Sequence, residues 1–230
     1  MKLQRFFVGS TCEENTTLCI PSLELVNQLK NVFRFAKGDQ VVLFDNSGYD
    51  FISRIEEIGK ESVSLTVLEK LDNTVRPERE TYLFSSIVKK DNFEWIVEKA
   101  TELGVSHIIP LISDRTEKKD VNKERLMKII IEASEQSGRG TIPVLHEVTN
   151  LTECLQQYGH VNSIAWDPSA MKFSTKDIES VNGAYIGPEG GWSQSELEQI
   201  KTHGLPVRSL GPQILRAETA VVAVVSRLVF

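Results

Sequence analysis

The chain has 230 residues, 40% apolar and 25% charged, so it has room for one large globular domain or two small ones. Its formal net charge of −6 counts against a nucleic-acid partner unless basic side chains cluster locally. Three cysteines (Cys12, Cys19, Cys154) without CxxC spacing and four scattered histidines (His107, His146, His160, His203) give neither a disulfide framework nor a zinc pattern. No leader peptide is visible, and the apolar stretch from Ala220 to Phe230 is too short to span a bilayer, so a cytoplasmic protein without membrane contact is expected.

The first part of the chain reads as β-rich. Phe6-Phe7-Val8 is a strand, and Pro21-Ser22 to Phe35 reads as one helix with Leu25, Leu29 and Val32 at helical spacing. Gln40 to Phe44 and Tyr49 to Ile58 form a hairpin across the turn residues Asp45-Asn46-Ser47-Gly48, and Ser62 to Leu68 follows after Gly59-Lys60. Strands joined by tight turns predict a small β-barrel-like domain over residues 1–72. Leu71 to Glu80, polar and aperiodic, reads as the linker.

From Thr81 the rhythm alternates. Tyr82 to Val88, Ser106 to Ile112 and Ser163 to Trp166 read as strands. Asp91 to Leu103 and Asn122 to Ser137 read as helices, with a short one near Thr175 to Ser180, while Gly138 to Leu151 resists assignment. Alternation of this kind predicts an α/β domain over residues 73–230 with a mainly parallel sheet covered on both faces. Lys89-Lys90 and Lys118-Lys119 read as solvated charge.

Two units near the end stand out. Ala184-Tyr185-Ile186 is a buried-strand pattern broken by Gly187-Pro188-Glu189-Gly190-Gly191, after which Ser193 and Glu196 make a capping box for a helix ending at Gly204. Val207 to Leu210 is a second strand, broken by Gly211-Pro212, and Leu215 to Ala220 leads into a last helix. Two such strand ends can lie side by side in one parallel sheet, where ligands bind at the carboxyl ends. The first loop is neither GxGxxG nor a Walker loop, so by itself it is equally a tight turn or a ligand loop. The apolar residues after Gly211 suit a flat ring or a buried connection. Arg216 is conspicuous because a helix amino end repels cations. Arg139, near a helix carboxyl end, has an ordinary explanation in the dipole.

Taken together these residues resemble a known family. Ile186 to Gly191, paired with Leu210-Gly211 and Leu215 to Ala220, resembles the carboxy-terminal signature of the 16S ribosomal RNA (uridine-N3) methyltransferases of the SPOUT class. Glu98 to Gly104, Glu132 to Arg139, Arg5 to Val8, Asn31 to Arg34 and Gly38-Asp39 are similar in order and spacing. The chain departs from the pattern at Asn27-Gln28-Leu29, where a histidine is usual, and at the Asp45 to Gly48 turn.

The resemblance implies a PUA-like β-barrel that holds RNA, followed by a SPOUT-like sheet with a trefoil knot. It implies S-adenosylmethionine as cofactor, no metal, a homodimer, and 16S ribosomal RNA of the small subunit as substrate. The cofactor would meet Leu111, Ile186, Gly187, Glu189, Gly190, Leu210, Gly211, Ile214, Leu215, Ala217, Thr219 and Ala220. Uridine N3 must lose a proton to accept a methyl group, which calls for a proton acceptor and a cation to stabilise the uracil anion. Arg216 is the candidate cation, Glu218 or Glu135 the acceptor, and Arg5, Arg34 and Arg139 candidate RNA contacts. A ribose 2′-O-methyltransferase, a non-catalytic RNA-binding or ribosome-assembly module, and an ordinary doubly wound nucleotide enzyme are the rivals. The lack of an early GxGxxG counts against the last.

Overall fold

The computed structural model describes residues 3–117 and 119–230. Met1, Lys2, Lys118 and the Lys90 side chain lie outside the described residues, whereas Lys89 and Lys119 are exposed as expected. The chain divides into two compact units, residues 1–76 with 134–142, and residues 77–133 with 143–230. The segment 134–142, which the sequence pattern assigns to the second domain, thus belongs with the first unit.

The first unit is a five-stranded curled sheet in the order β1-β3-β4-β5-β2. Its strands are β1 (Arg5–Phe7), β2 (Thr17–Pro21), β3 (Gln40–Phe44), β4 (Tyr49–Ile58) and β5 (Ser62–Asp72). All pairs are antiparallel except β1 with β3. Alternate residues Phe51, Ser53 and Ile55 of β4 and Val63, Leu65 and Val67 of β5 point inward, the period of two expected of a sheet with one buried face. Register shifts at Ile52/Ser53 and Ile55/Glu57 bend the long pair, as bulges do. The strand path is open, with β1 and β2 at its two ends, so the unit is a half-barrel.

The predicted first helix is shorter than its periodicity suggests. Strand β2 occupies residues up to Pro21, and Ser22 caps α1 (Leu23–Asn27) by accepting the Leu25 N–H at 3.1 Å. The chain then widens into a π-helical turn, Gln28–Val32, closed by Phe33 N–H to the Gln28 carbonyl at 2.9 Å. Arg34, at φ +59°, ends it in the left-handed region that non-glycine residues rarely adopt. Strand β2 leaves almost no sequence signal because Ile20 is its single buried residue.

The second unit carries a parallel sheet of seven strands. They are β6 (Tyr82–Ser86), β7 (His107–Ile112), β8 (Val144–Leu145), β9 (Thr149–Asn150), β10 (Ser163–Trp166), β11 (Gly183–Ile186) and β12 (Val207–Arg208). The order is β12-β10-β11-β6-β7-β8, with β9 also on β7. β8 and β9 pair with residues 107–108 and 111–112 of β7, so the gap between them falls at Ile109-Pro110, where the proline has no N–H to donate.

The helices are α2 (Lys90–Leu103), α3 (Lys123–Ser137), α4 (Leu151–Gln157), α5 (Gln194–Thr202) and α6 (Ala217–Val229). Phe84, Ile109, Ala165 and Tyr185 of the sheet pack with Cys154, Leu155 and Ile200 of α4 and α5. Leu83, Ile108 and Ala184, which alternate with them, are also fully buried, and α6 packs on α2 and β11. Gly104 stops α2 in the left-handed conformation, φ +105°. The unassigned stretch resolves into β8, β9 and the start of α4, which Asn150 caps through the Glu153 N–H at 2.9 Å. No described helix is long and apolar enough to cross a membrane.

Candidate active site

The two glycine-broken strands are not neighbours. β10 lies between β11 and β12, paired in parallel to both. Its carboxyl end therefore projects between the two loops, and Trp166, Asp167 and Pro168 join the walls of a pocket of about 380 Å³. The rest of the lining is Ile186 to Gly191, Ser209, Leu210, Gln213 to Ala217, and Ala220. All of this lies at the carboxyl ends of parallel strands, where the termini of strands and helices leave backbone groups free for a ligand.

Local contacts hold the first loop. Gly191 N–H bonds the Pro188 carbonyl at 2.8 Å, and Gly191 sits at φ +68°. At Gly187 a Cβ would stand 3.1 Å from the Trp192 ring. That ring is buried and donates its N–H to the Trp166 carbonyl at 3.1 Å, which ties the loop to the end of β10. Arg115 donates to the Gly190 carbonyl at 2.6 Å. The expected capping box is present: Ser193 Oγ accepts the Glu196 N–H at 3.2 Å and Glu196 accepts the Ser193 N–H at 2.7 Å. Ser193 Oγ also donates to Asp114 at 2.5 Å, and Glu196 accepts the Asp114 N–H at 2.9 Å, so the segment after β7 braces α5. Glu189 is exposed and accepts the Lys89 N–H at 3.2 Å.

The second loop is built differently. Gly211 has φ +149°. Ile214 and Leu215 are 86% and 38% exposed while lining the pocket, an exposed apolar surface. Arg216 is the N-cap residue of α6, with no side-chain cap bond. Its side chain is exposed, lines the pocket and makes no hydrogen bond or ion pair among the described residues. Glu218, in the first turn of α6, is half-buried, and its Oε2 is buried without a partner among the described residues. A carboxylate at that end is favoured by the helix dipole, but an unpartnered buried oxygen is costly and calls for a ligand or a reacting proton.

Of the residues expected at the cofactor, Ile186, Gly187, Glu189, Gly190, Leu210, Ile214, Leu215, Ala217 and Ala220 line the pocket. Leu111 does not: it is fully buried on β7. Gly211 shapes the turn without lining the wall, and Thr219 is exposed on α6 away from it. Trp166, Asp167, Ser209 and Gln213 escaped the sequence reading. The carboxyl-end rule, applied to Ser163–Trp166 as well as to the two glycine loops, would have found the first two.

The expected RNA contacts and the third catalytic candidate lie in the first unit. Arg34 and Lys30 are exposed there, beside Val32 and Phe33 at 61% and 40% exposure. Phe33 stacks on Phe35 with ring centroids 5.9 Å apart. Arg54 is exposed but bonded twice to Glu56, at 2.8 and 2.9 Å. Arg5 is buried instead, paired through both guanidinium nitrogens with Asp50 and donating to the Arg139 carbonyl at 2.9 Å. Arg139 is 3% exposed, donates to the Thr141 carbonyl at 3.1 Å, and has its pKa lowered by burial to about 10. Buried guanidiniums tied to carboxylate and carbonyl oxygens hold loops rather than phosphates. Glu135 Oε1 accepts the Phe7 N–H at 2.9 Å, which fixes β1 to the last turn of α3.

Comparison with known proteins divides the chain near residue 76. The family model of the RNA methyltransferase domain matches residues 76–229, and that of the RNA methyltransferase PUA domain matches residues 26–68. The chain is 32% identical to ribosomal RNA small subunit methyltransferase E of Rickettsia conorii, over 99% of this chain and 96% of the relative. It is 29% identical to the Bacillus subtilis protein of the same name, over 95% and 93%. Among solved structures it resembles ribosomal RNA small subunit methyltransferase E of Neisseria gonorrhoeae bound to S-adenosyl methionine. The TM-score is 0.90, with 28% identity, 97% of this chain and 95% of that one covered.

Proposed function

Because the chain belongs to the RNA methyltransferase family of the ribosomal RNA small subunit methyltransferases E, we propose that it methylates N3 of a uridine in 16S ribosomal RNA of the small subunit. S-adenosylmethionine is the donor, and the enzyme works in the cytoplasm as a homodimer. The observation that carries this reading is the pocket between the ends of β10, β11 and β12, with an Arg216 side chain in its wall and a Glu218 oxygen in the first turn of α6 that both lack partners among the described residues.

The residues present fit such a donor. Ile186, Leu210, Ile214, Leu215 and Ala217 offer an apolar slot for a flat base. Gly187 and Gly190 bring backbone within reach of a ligand. Glu189 supplies a carboxylate for a cationic molecule, Asp167 adds a second acceptor, and the buried indole N–H of Trp166 has no partner among the described residues. When bound, the donor supplies a methyl group on a positively charged sulfur.

The chain's own residues then have three tasks. The loops would hold the donor beside the uracil base, a matter of proximity and orientation. Glu218 would take the N3 proton, freeing the nitrogen lone pair for the methyl group that a bound donor would supply. Arg216 stabilises the negative charge that spreads onto the uracil oxygens as the proton leaves. Glu135, engaged with the Phe7 backbone, is given a structural role. In the first unit, Arg34 and Phe33 offer a cation beside an exposed aromatic, the pairing that holds single-stranded bases.

The test mixes the protein with labelled S-adenosylmethionine and small subunits or naked 16S ribosomal RNA lacking the modification. Label at uridine N3 is expected. Label on ribose would replace the reading with a 2′-O-methyltransferase, and no transfer to either RNA would leave a binding module.

A further inference from the structure

The pocket holds two carboxylates in different settings. Glu189 is exposed at the rim. Asp167 is 8% exposed, at the end of β10, between the Gly187 loop and the Ser209 turn. One of its oxygens is fully engaged: Oδ1 accepts the Ser169 N–H at 2.9 Å and the Ser169 hydroxyl at 2.5 Å. Its backbone is pinned as well, with its N–H on the Arg208 carbonyl at 2.9 Å. The side chain is therefore held in one orientation. The other oxygen, Oδ2, accepts no hydrogen bond among the described residues, yet it is not sealed from solvent.

A fixed carboxylate oxygen can only accept hydrogen bonds, so it selects for donors. The methyl donor offers two kinds, an ammonium group and the vicinal hydroxyls of its ribose. Burying the ammonium costs far more desolvation than burying neutral hydroxyls, and the rim already offers Glu189 for it. We infer that Asp167 is the sugar-reading residue of this pocket, accepting through Oδ2 from the ribose hydroxyls of an adenosine-containing ligand. The inference rests on the methyl-donor reading. It gives Asp167 a binding and specificity role, separate from the reacting atoms.

The test is calorimetric and needs no turnover. S-adenosylhomocysteine is titrated into the full chain, then adenosine, 2′-deoxyadenosine and 3′-deoxyadenosine as competitors. The unaltered protein is expected to prefer adenosine to at least one deoxynucleoside by roughly ten- to a hundredfold, the range of a hydrogen bond to a charged group. Asp167→Asn should reduce that preference below about threefold. Ser169→Ala, which leaves the carboxylate in place, should retain it, and so should Glu189→Gln. Ser169→Ala also guards against misfolding, because it disturbs the same turn, and circular dichroism checks all variants. If S-adenosylhomocysteine binds but no sugar preference exists, or Asp167→Asn retains it, the assignment of Asp167 is overturned and the donor pocket stands. If S-adenosylhomocysteine does not bind the unaltered protein, the donor reading itself falls, and this inference with it.

Discussion

Glu218→Gln separates chemistry from stability. The substitution keeps the shape of the side chain and removes its charge. Two terms oppose each other in the folded state. The carboxylate sits in the first turn of α6, where the dipole favours an anion by about 0.3–1 kcal/mol. Its Oε2 is buried without a partner, a penalty of roughly 1–3 kcal/mol that the amide changes rather than doubles. The difference should stay within about 1 kcal/mol of zero, a change in melting temperature of at most ~4 °C for a chain of this size. Donor binding should hold within about threefold, because Glu218 does not line the pocket. Turnover should fall by about 10²–10⁴, the usual contribution of a positioned proton acceptor. The assay pairs single-turnover transfer of labelled methyl to RNA with calorimetric donor binding and a thermal melt. A loss of turnover under tenfold with an unchanged melt would refute the assignment of Glu218 as proton acceptor.

Arg216→Ala should leave the melt within about 0.5 kcal/mol, since the side chain is exposed and unpaired, while turnover at saturating donor falls by roughly 10²–10³. Gly187→Ala should weaken donor binding and destabilise by about 1–2 kcal/mol, because its Cβ would press at 3.1 Å on a Trp192 ring that is itself hydrogen-bonded; a denaturant titration with calorimetry reads both. Arg34→Ala should weaken RNA binding and flatten its dependence on salt, with no change in donor affinity; an unchanged salt slope would remove Arg34 from the RNA surface. His107 Nδ1 and His146 Nε2 lie 3.0 Å apart, with Tyr158 hydroxyl 3.1 Å from His146 Nδ1, and both imidazoles have their pKa lowered by burial. Folded pKa values below the unfolded ones mean that the unfolded chain binds more protons, so stability should decline as pH falls below about 6.5. His107→Gln should flatten that decline in melts recorded between pH 5 and 8.

Local patterns in the chain are sufficient for most of the elements. The alternation in β4 and β5, the Gly104 stop and the Ser193–Glu196 capping box need only neighbours within a few residues, and the structure bears each of them out. Elements that draw their stability from elsewhere are silent in the sequence. β2 buries only Ile20 and survives by pairing with β5, and the predicted first helix yields its start to that strand and its end to a π-helical turn. Arg5 and Arg139 stand in the sequence as candidate RNA contacts and Glu135 as a candidate proton acceptor because a sequence shows charge type and spacing but not burial. Their distant partners, Asp50 for Arg5, Arg5 for the Arg139 carbonyl and Phe7 for Glu135, bring together segments far apart in the chain.

The site divides along the same line. Local sequence suffices to place two glycine loops after buried strands, a capped helix after the first, and Arg216 and Glu218 at the opening of the last helix. Each is a matter of backbone freedom, capping and charge within a few residues. The insertion of β10 between those two strands is invisible locally, because strand order in a parallel sheet is set by how distant segments pack and by the helices that cover them. That insertion brings Trp166 and Asp167 into the pocket, and burial leaves a Glu218 oxygen without a partner.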